Sequence, residues 1–269
     1  MALSPTQEYF PERKLFHGFV PLVMGTKLDA LLVGPDRAVS AALWERAVSE
    51  SQRLSAMLNR FDPLSEVSRL NAAADSGEVA VSEDLLSLIR VCETYRERTD
   101  GLFDITRGSC GEGILFLPGS RIALQGGSLD FGGFAKGWFL RVFRSWLLEA
   151  GVGSAYVDFG GSTILGLGSH PFGASWRVRV VHPYTGSVLE DVDLVDRTLS
   201  TSGNRPGYTG HVLDPATGSP VKERRIVTVV SEDPLEAEVL STAAMVPDDG
   251  KLASLRQRFP SSEIHRYDA

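Results

Sequence analysis

The stretch Leu129-Asp-Phe-Gly-Gly-Phe-Ala-Lys-Gly137 is the feature around which the rest of the sequence is arranged. It has the form of a strand end, a glycine turn and a helix start, and Gly132 and Gly133 allow the backbone to approach another group closely. Apolar side chains from Phe139 to Ala150 recur at three and four residues, which predicts a helix that Gly151 ends. Such a turn can bind an anion, because free N–H groups and the helix dipole point at it. On this stretch alone, a tight turn between two packed elements is the simpler explanation.

Composition indicates a globular protein with an acidic surface. Of the 269 residues, 43% are hydrophobic and 23% are charged, which is enough to bury a substantial core. The net charge of -7 argues against sequence-independent nucleic-acid binding, although local donors or a metal could still bind a phosphate. Neither a membrane span nor a secretory signal is visible, so we expect a cytoplasmic protein, or an exported one whose leader was removed. The two cysteines, Cys92 and Cys110, form neither a disulfide framework nor a zinc pattern.

Upstream of the glycine turn, the sequence predicts a strand pair followed by helices. Phe16–Gly34 reads as two strands, and Asp36–Asn59 carries one apolar helical stripe. Arg60–Asn71 predicts a turn followed by a short helical segment. Ser82 is placed to cap a further helix, and Gly101 to end it.

Downstream, strands dominate. Five are predicted, at Ala155–Phe159, Ser162–Leu167, Trp176–Val181, Val188–Val195 and Ile226–Ser231. The turn Pro183-Tyr-Thr-Gly186 could pair the third of these strands with the fourth. Two stretches, Ser200–Gly203 and His211–Gly218, are interpreted as polar and turn-rich. Asp233 and Pro234 begin a helix that reaches Met245, and a last helix covers Lys251–Arg258. With no linker or repeat, the pattern favours one α+β domain over residues 1–269 rather than a regular βαβ array.

His211 is the most suggestive single residue for chemistry. It lies in a polar loop shortly before Asp214, whereas His17, His170, His182 and His265 have no comparable neighbours. A lone histidine is more often structural than catalytic. The sequence has no nucleophile elbow of a serine hydrolase, no Walker loop and no Gly-x-Gly-x-x-Gly before a helix, so the commonest hydrolase and nucleotide signatures are absent.

Three oxygen-bearing residues share one face of the predicted helix at 234–245. Glu238, Ser241 and Thr242 are spaced by three and four residues. A carboxylate with hydroxyls and no soft ligand is a donor set that a hard cation such as Mg²⁺ accepts. From spacing alone, a solvated helix face is the simpler explanation.

Taken together, these stretches resemble the ApbE family of FAD:protein FMN transferases. The similar motifs follow the family's order and are Met24-Gly-Thr26, Phe61-Asp-Pro-Leu-Ser-Glu-Val-Ser-Arg-Leu-Asn71, Gly101-Leu-Phe-Asp-Ile-Thr106, Asp130–Gly137, Phe159-Gly-Gly161, Thr201-Ser-Gly203 and His211–Gly218. Each motif is weak by itself. Their order along most of the chain makes the resemblance specific.

The resemblance implies both a fold and an activity. The implied fold is a single ApbE-like (T-fold-like) α+β domain with mixed or antiparallel sheets, flanking helices and an FAD cleft between two lobes. The implied activity is Mg²⁺-dependent cleavage of the FAD pyrophosphate, transfer of FMN to a threonine of an acceptor flavoprotein, and release of AMP. The implied partners are FAD and that acceptor, with no nucleic acid and no transmembrane segment.

The resemblance also implies roles for individual residues. His211 matches the histidine that activates the acceptor hydroxyl. The implied metal ligands are the backbone carbonyl of Gly133 and the side chains of Glu238, Ser241 and Thr242. The implied FAD-binding residues are Met24, Gly25, Thr26, Phe61, Leu102, Phe103, Asp104, Asp130, Lys136, Gly160, Gly161, Ser202, Gly203 and Leu213.

The chain departs from the family pattern at several positions. Glu238 stands where the family has aspartate, and the extra methylene matters because Mg²⁺ tolerates little geometric error. Leu64 and Arg141 stand where acids are common, and Asp158 where asparagine is common. Two alternatives therefore stay open: an FAD-binding protein with weak or no transferase activity, and an FAD pyrophosphatase that releases FMN and AMP.

Overall fold

The structure is a computed structural model that describes residues 4–73, 77–107 and 113–268. Its strands are β1 (Thr6–Phe10), β2 (Leu15–Val23), β3 (Thr26–Val33), β4 (Val79–Ala80), β5 (Thr106–Arg107), β6 (Ile114–Leu117), β7 (Arg121–Leu124), β8 (Ser128–Leu129), β9 (Ser154–Phe159), β10 (Thr163–Leu167), β11 (Trp176–Val181), β12 (Val188–Leu194), β13 (Arg197–Gly203), β14 (Arg225–Ser231) and β15 (Glu263–Asp268). Its α-helices are α1 (Arg37–Leu58), α2 (Glu66–Ala72), α3 (Glu83–Arg98), α4 (Ala135–Glu149), α5 (Pro234–Ala243) and α6 (Asp249–Arg258). No helix within these ranges is long and apolar enough to cross a membrane.

One antiparallel sheet forms the centre of the fold. Its strand order is β1-β2-β3-β9-β10-β13-β14-β15, and every pairing within it is antiparallel. Helices α1, α4 and α5 pack against this sheet and against each other. Strands β11 and β12 form a separate hairpin, while β4-β7-β6 and β5-β8 form two small sheets. The prediction of an α+β fold with antiparallel sheets is confirmed.

Most of the predicted helices and hairpins are present. Asp36, Ser65 and Ser82 each accept a hydrogen bond from the first turn of α1, α2 and α3, as expected of N-cap residues. Strands β11 and β12 pair as the sequence predicted. Cys92 is buried in the core, whereas Cys110 lies outside the described residues.

The interpretation of Ser200–Gly203 as a turn-rich stretch was wrong. These residues form the end of β13, which pairs with β10 on one side and β14 on the other. Polar side chains are tolerated at this central position because α5 covers them. Ser200 and Ser202 each lie within hydrogen-bonding distance of the Ser241 hydroxyl, at 3.0 and 2.9 Å.

Helix α5 is a core element. The alternative of a solvated face is wrong, because Glu238 is 3% exposed and Ser241 is fully buried. Asp233 caps the helix by accepting from the Leu235 N–H at 3.0 Å, as predicted. The neighbouring helix α4 approaches α5 at Gly137. A Cβ atom there would lie 2.5 Å from Glu238 Cβ and 2.8 Å from the Pro234 carbonyl oxygen.

Replacing Gly137 with alanine is expected to separate these two helices. The added methyl group meets backbone as well as side chain, so we expect a loss of about 1–3 kcal/mol in the free energy of unfolding. Urea denaturation measures it. Gly153→Ala is the matched control, because a Cβ atom at Gly153 meets nothing within 4 Å. Equal stability of the two variants would contradict this description of the contact.

Arg141, one of the departures from the family pattern, contributes to the same helix packing. Its guanidinium forms an ion pair with Asp233, the N-cap of α5, with Nε 2.8 Å from Oδ1. It also donates to the Tyr95 hydroxyl on α3 at 2.9 Å. Burial raises the pKa of Tyr95 to about 12, so this phenol remains neutral. Arg141 therefore connects three helices and does not line the cavity described below.

Candidate active site

A cavity of about 820 Å³ opens at one end of the main sheet. The family resemblance implied roles for a set of site residues, and all of them except Ser241 line this cavity. They come from turns, loops and helices that are far apart in the chain. The roles of these residues stay predictions, but the structure brings them together.

Two neighbouring turns form one wall. Met24 and Gly25 make the β2–β3 turn, both with positive φ, at 49° and 75°. The second turn, after β9, has Gly160 at φ +76°. A Cβ atom on Gly160 would lie 2.8 Å from the Thr26 side chain, so the close contact between the two turns needs glycine. Gly161 completes this wall.

Asp158 stabilises that second turn. Its Oδ1 atom accepts from the Gly161 N–H at 2.6 Å, and its Oδ2 atom lies 2.9 Å from Lys27 Nζ. The hydrogen bond that the Lys27 ammonium donates to Asp158 raises the pKa of Lys27. An asparagine could accept the same backbone hydrogen bond, so this departure preserves the turn and adds an ion pair.

The mouth of the cavity carries an exposed aromatic ring. Phe61 is 77% exposed, and the Arg60 guanidinium lies 4.1 Å from its ring centroid. Such a ring can stack on a flat heteroaromatic ligand. Leu64, another departure, is exposed nearby in sequence but is not among the cavity-lining residues.

The loop between α3 and β5 contributes to the cavity lining. Leu102 and Phe103 line the cavity, and Phe103 is buried. The carboxylate of Asp104 accepts from Arg96 Nε at 2.9 Å and from the Thr106 N–H at 2.7 Å. These hydrogen bonds of Asp104 therefore fix the conformation of the loop.

Asp130 organises a basic cluster that sequence reasoning missed. Its Oδ1 atom accepts from the Gly132 N–H at 2.9 Å, which fixes the glycine turn. Its Oδ2 atom lies 3.0 Å from Arg60 Nε and 3.2 Å from Arg107 Nη1. Both arginines line the cavity, together with Lys136 and Arg205. Arg60 and Arg107 lie beside predicted motifs, but their convergence on Asp130 depends on contacts that no sequence pattern encodes.

The Glu238 carboxylate is held by three neighbouring side chains. Lys136 forms an ion pair with Oε1, while Oε2 accepts from the Thr163 hydroxyl and from Ser200 Oγ, the latter at 3.0 Å. Only 4% of the Glu238 side chain is exposed, against 19% of the Lys136 side chain. The pair thus lies at the boundary between the cavity and the core.

The oxygen donors near Glu238 suit a hard cation. A Cβ atom on Gly133 would lie 2.7 Å from Thr242 Oγ1, so the backbone of the glycine turn and this hydroxyl are as close as glycine permits. Thr242, Glu238 and Gly133 all line the cavity. Mg²⁺ commonly uses one or two carboxylates with water and substrate phosphates. Both carboxylate oxygens of Glu238 already have partners. The donor set fits Mg²⁺ when one of these oxygens gives up a hydrogen bond and binds the ion instead.

Ser241 lies behind this donor set. Its hydroxyl donates to the Glu238 carbonyl at 2.9 Å and contacts Ser200 and Ser202. Within the described ranges, no group of three or more His, Cys, Asp and Glu side chains forms a metal cluster. Any cation at this position would therefore rely on backbone, hydroxyl and ligand oxygens as well as on Glu238.

His211 faces the same cavity from the loop after β13. Arg107 Nη1 donates to its backbone carbonyl at 3.3 Å and so connects it to Asp130. Burial, followed by the positive charges of Arg205, Arg107 and Lys136, lowers the pKa of His211 below its ordinary value of 6.5. The imidazole is therefore neutral at pH 7 and able to accept a proton.

Comparison with known proteins identifies the family of this chain. The family model described as "ApbE family" matches residues 24–115 and 115–264. The FAD:protein FMN transferase of Vibrio cholerae serotype O1 is 27% identical over 222 residues, covering 68% of this chain and 66% of the relative. That of Chlamydia muridarum is 27% identical over 232 residues, covering 70% of each. The chain thus spans about two thirds of the length of these relatives.

Solved structures show the same fold. The apo form of the flavinyl transferase ApbE from Pseudomonas stutzeri is 25% identical, with a TM-score of 0.78 over 94% of this chain and 90% of that one. The flavin transferase ApbE from Vibrio cholerae is 21% identical, with a TM-score of 0.76 over 96% and 97%. Because the family model covers most of the sequence, the chain belongs to the ApbE family.

Proposed function

We propose that this protein is an FAD:protein FMN transferase that uses Mg²⁺ and transfers FMN to a threonine of an acceptor flavoprotein. The observation that carries the proposal is the convergence of His211, the Lys136–Glu238 pair and the glycine turn on one cavity. The names of the relatives support the same enzyme class.

The basic cluster suits the pyrophosphate of FAD. Arg60, Arg107 and Lys136 line the cavity beside the N-terminus of α4, where Phe134 provides no side-chain cap. Guanidinium groups and helix N-termini both favour phosphate oxygens. These residues would hold the pyrophosphate between the flavin and adenosine halves of the substrate.

A divalent ion would bind close to this cluster. Gly133, Glu238 and Thr242 would hold it through oxygen atoms, with Ser241 supporting them from behind. Bound Mg²⁺ would neutralise charge that builds on the pyrophosphate oxygens.

His211 would act as the general base. The threonine oxygen of the acceptor forms a bond to the phosphorus of the FMN half, the bond from that phosphorus to the AMP oxygen breaks, and AMP leaves. His211 accepts the proton of the threonine hydroxyl. The same residues could direct water at the phosphorus, which would give the pyrophosphatase alternative.

Release of AMP with and without an acceptor separates these functions. Purified protein is incubated with FAD and Mg²⁺, then with FAD and Mn²⁺, with and without a threonine-bearing acceptor polypeptide. A transferase releases AMP only with the acceptor. Equal release without it indicates a pyrophosphatase, and bound FAD without release indicates a flavin-binding protein.

The pH dependence of the reaction should report the lowered pKa of His211. The neutral imidazole is the active base, so kcat/KM is expected to be constant near pH 7 and to fall on acidification. Because the folded protein lowers this pKa, the midpoint of the acid limb should lie below the ordinary value of 6.5. A pH profile of kcat/KM for FAD measures it. A midpoint above 6.5 would contradict the lowering of this pKa by burial and by the surrounding cations.

A further inference from the structure

On its buried side, the His211 ring has no hydrogen-bonding partner among the residues that the structure describes. Its Nδ1 atom is buried and makes no hydrogen bond within the described ranges. A histidine that acts as a base is usually oriented by a third group that bonds its other ring nitrogen. The described part of this chain offers no such group to Nδ1, so another contact must fix the ring.

Tyr208 provides a contact of a different kind. Its ring stacks on the imidazole of His211, with centroids 4.5 Å apart and an interplanar angle of 26°. On the tyrosine itself, the Arg205 guanidinium lies 5.1 Å from the ring centroid. Aromatic stacking and cation–π contacts both constrain ring orientation. The Tyr208 ring therefore contacts both Arg205 and His211.

The loop that carries this array is anchored at both ends. Asn204 is fully buried, and its Nδ2 atom donates to the carbonyls of Val221 and Glu223 at 2.9 and 2.7 Å. Its Oδ1 atom accepts from the N–H of Gly210, the residue before His211, at 3.1 Å. Arg205 and Tyr208 also exchange backbone hydrogen bonds at 3.0 and 2.9 Å. Hydrogen bonds thus fix the conformation of the loop that carries the stacked rings of Tyr208 and His211.

We propose that Tyr208 is a positioning residue for His211, which holds the imidazole by stacking so that Nε2 serves the cavity, with Arg205 supporting the tyrosine. The proposal rests on the proposed function for the reaction that His211 performs. It predicts that the aromatic ring of Tyr208 matters and that its hydroxyl does not.

Charged groups around the ring make its titration a suitable measurement. Arg205, Arg107 and Lys136 face His211, with Arg107 paired to Asp130 and Lys136 paired to Glu238. Burial is the largest cause of the lowered pKa of His211, ahead of the three cations. Tyr208 covers part of the imidazole, so its removal admits water and should raise this pKa toward its ordinary value.

The test compares Tyr208→Leu with Tyr208→Phe. In Tyr208→Leu, kcat should fall by about tenfold or more while KM for FAD changes by less than about threefold, because a misplaced base impairs the reaction rather than binding. Histidine-ring NMR, with the His211 signal assigned from His211→Gln, should show a raised pKa. Tyr208→Phe keeps the ring and should restore both kcat and the titration to within about threefold of the parent.

Tyr184→Leu is the matched control. Tyr184 also lies against an arginine, with the Arg224 guanidinium 4.9 Å from its ring centroid, but it is not among the cavity-lining residues. This variant should leave the His211 titration unchanged. Because Tyr208 is 50% exposed, its substitution is not expected to prevent folding.

Three results would overturn the proposal. The first is an unchanged His211 titration in Tyr208→Leu, and the second is a Tyr208→Phe variant as impaired as Tyr208→Leu. The third is a loss confined to KM, which would make Tyr208 an FAD-binding residue. Failure of the proposed function looks different. The parent protein would then transfer no FMN, while the NMR titration would still decide whether Tyr208 and His211 are coupled.

Discussion

His211→Ala is expected to reduce FMN transfer by about 10²–10⁴-fold, the usual contribution of a positioned general base. In the proposed mechanism the imidazole accepts the proton, and its neighbours Arg107, Lys136 and Arg205 are positively charged side chains that do not act as bases. FAD binding should change little, because the basic cluster and the glycine turn remain. Single-turnover formation of AMP in the presence of acceptor measures the step directly.

The control for this variant is His265→Ala. His265 lies on β15 with Nδ1 2.9 Å from Glu190 Oε2, and it does not line the cavity. It should keep the parent rate. If His211→Ala retained full transfer, the assignment of the base would be wrong, whatever FAD affinity the variant showed.

Glu238→Gln is expected to damage both the fold and the site. The substitution removes the negative charge that pairs with Lys136 while leaving the ammonium group mostly buried. Breaking a buried pair at one partner costs about 3 kcal/mol or more in the free energy of unfolding. Urea denaturation measures that loss. The exposed Glu232, just before α5, gives the control Glu232→Gln, which should be neutral.

Cation binding provides a second measurement on the same variant. Binding of Mn²⁺, followed by the EPR signal of the free ion with FAD present, should weaken by about tenfold or more in Glu238→Gln. Glu238→Asp keeps the charge and should retain Mn²⁺ binding. Equal Mn²⁺ affinity in the parent and in Glu238→Gln would remove Glu238 from the metal site and leave it as the partner of Lys136.

The sequence predicted those parts of the fold that local signals define. Helix α1 begins after Asp36 and α3 after Ser82 because these side chains cap the first turn, and such caps are readable in a sequence. Strand β11 alternates polar and apolar residues and is followed by the turn at 183–186, so its pairing with β12 was also predicted.

Long-range contacts define the parts that the sequence could not predict. The Ser200–Gly203 segment looks like a loop because its residues are small and polar, yet it is a central strand that α5 covers. The convergence of Arg60 and Arg107 on Asp130 has the same origin. Glu238 shows most clearly the difference between what the sequence predicts and what long-range contacts determine. The family resemblance implied an oxygen ligand at this position, whereas its ion pair with Lys136 appears only when α4 and α5 pack together.

The proposed reaction is transfer of FMN to a protein threonine. The most direct measurement is intact-mass spectrometry of a threonine-bearing acceptor polypeptide after incubation with the protein, FAD and Mg²⁺, with AMP quantified in the same sample. We expect the acceptor to gain the mass of one FMN phosphoester for each AMP released, and an acceptor with alanine in place of threonine to gain none. AMP released at the same rate from both acceptors, with no gain in mass, would contradict this expectation.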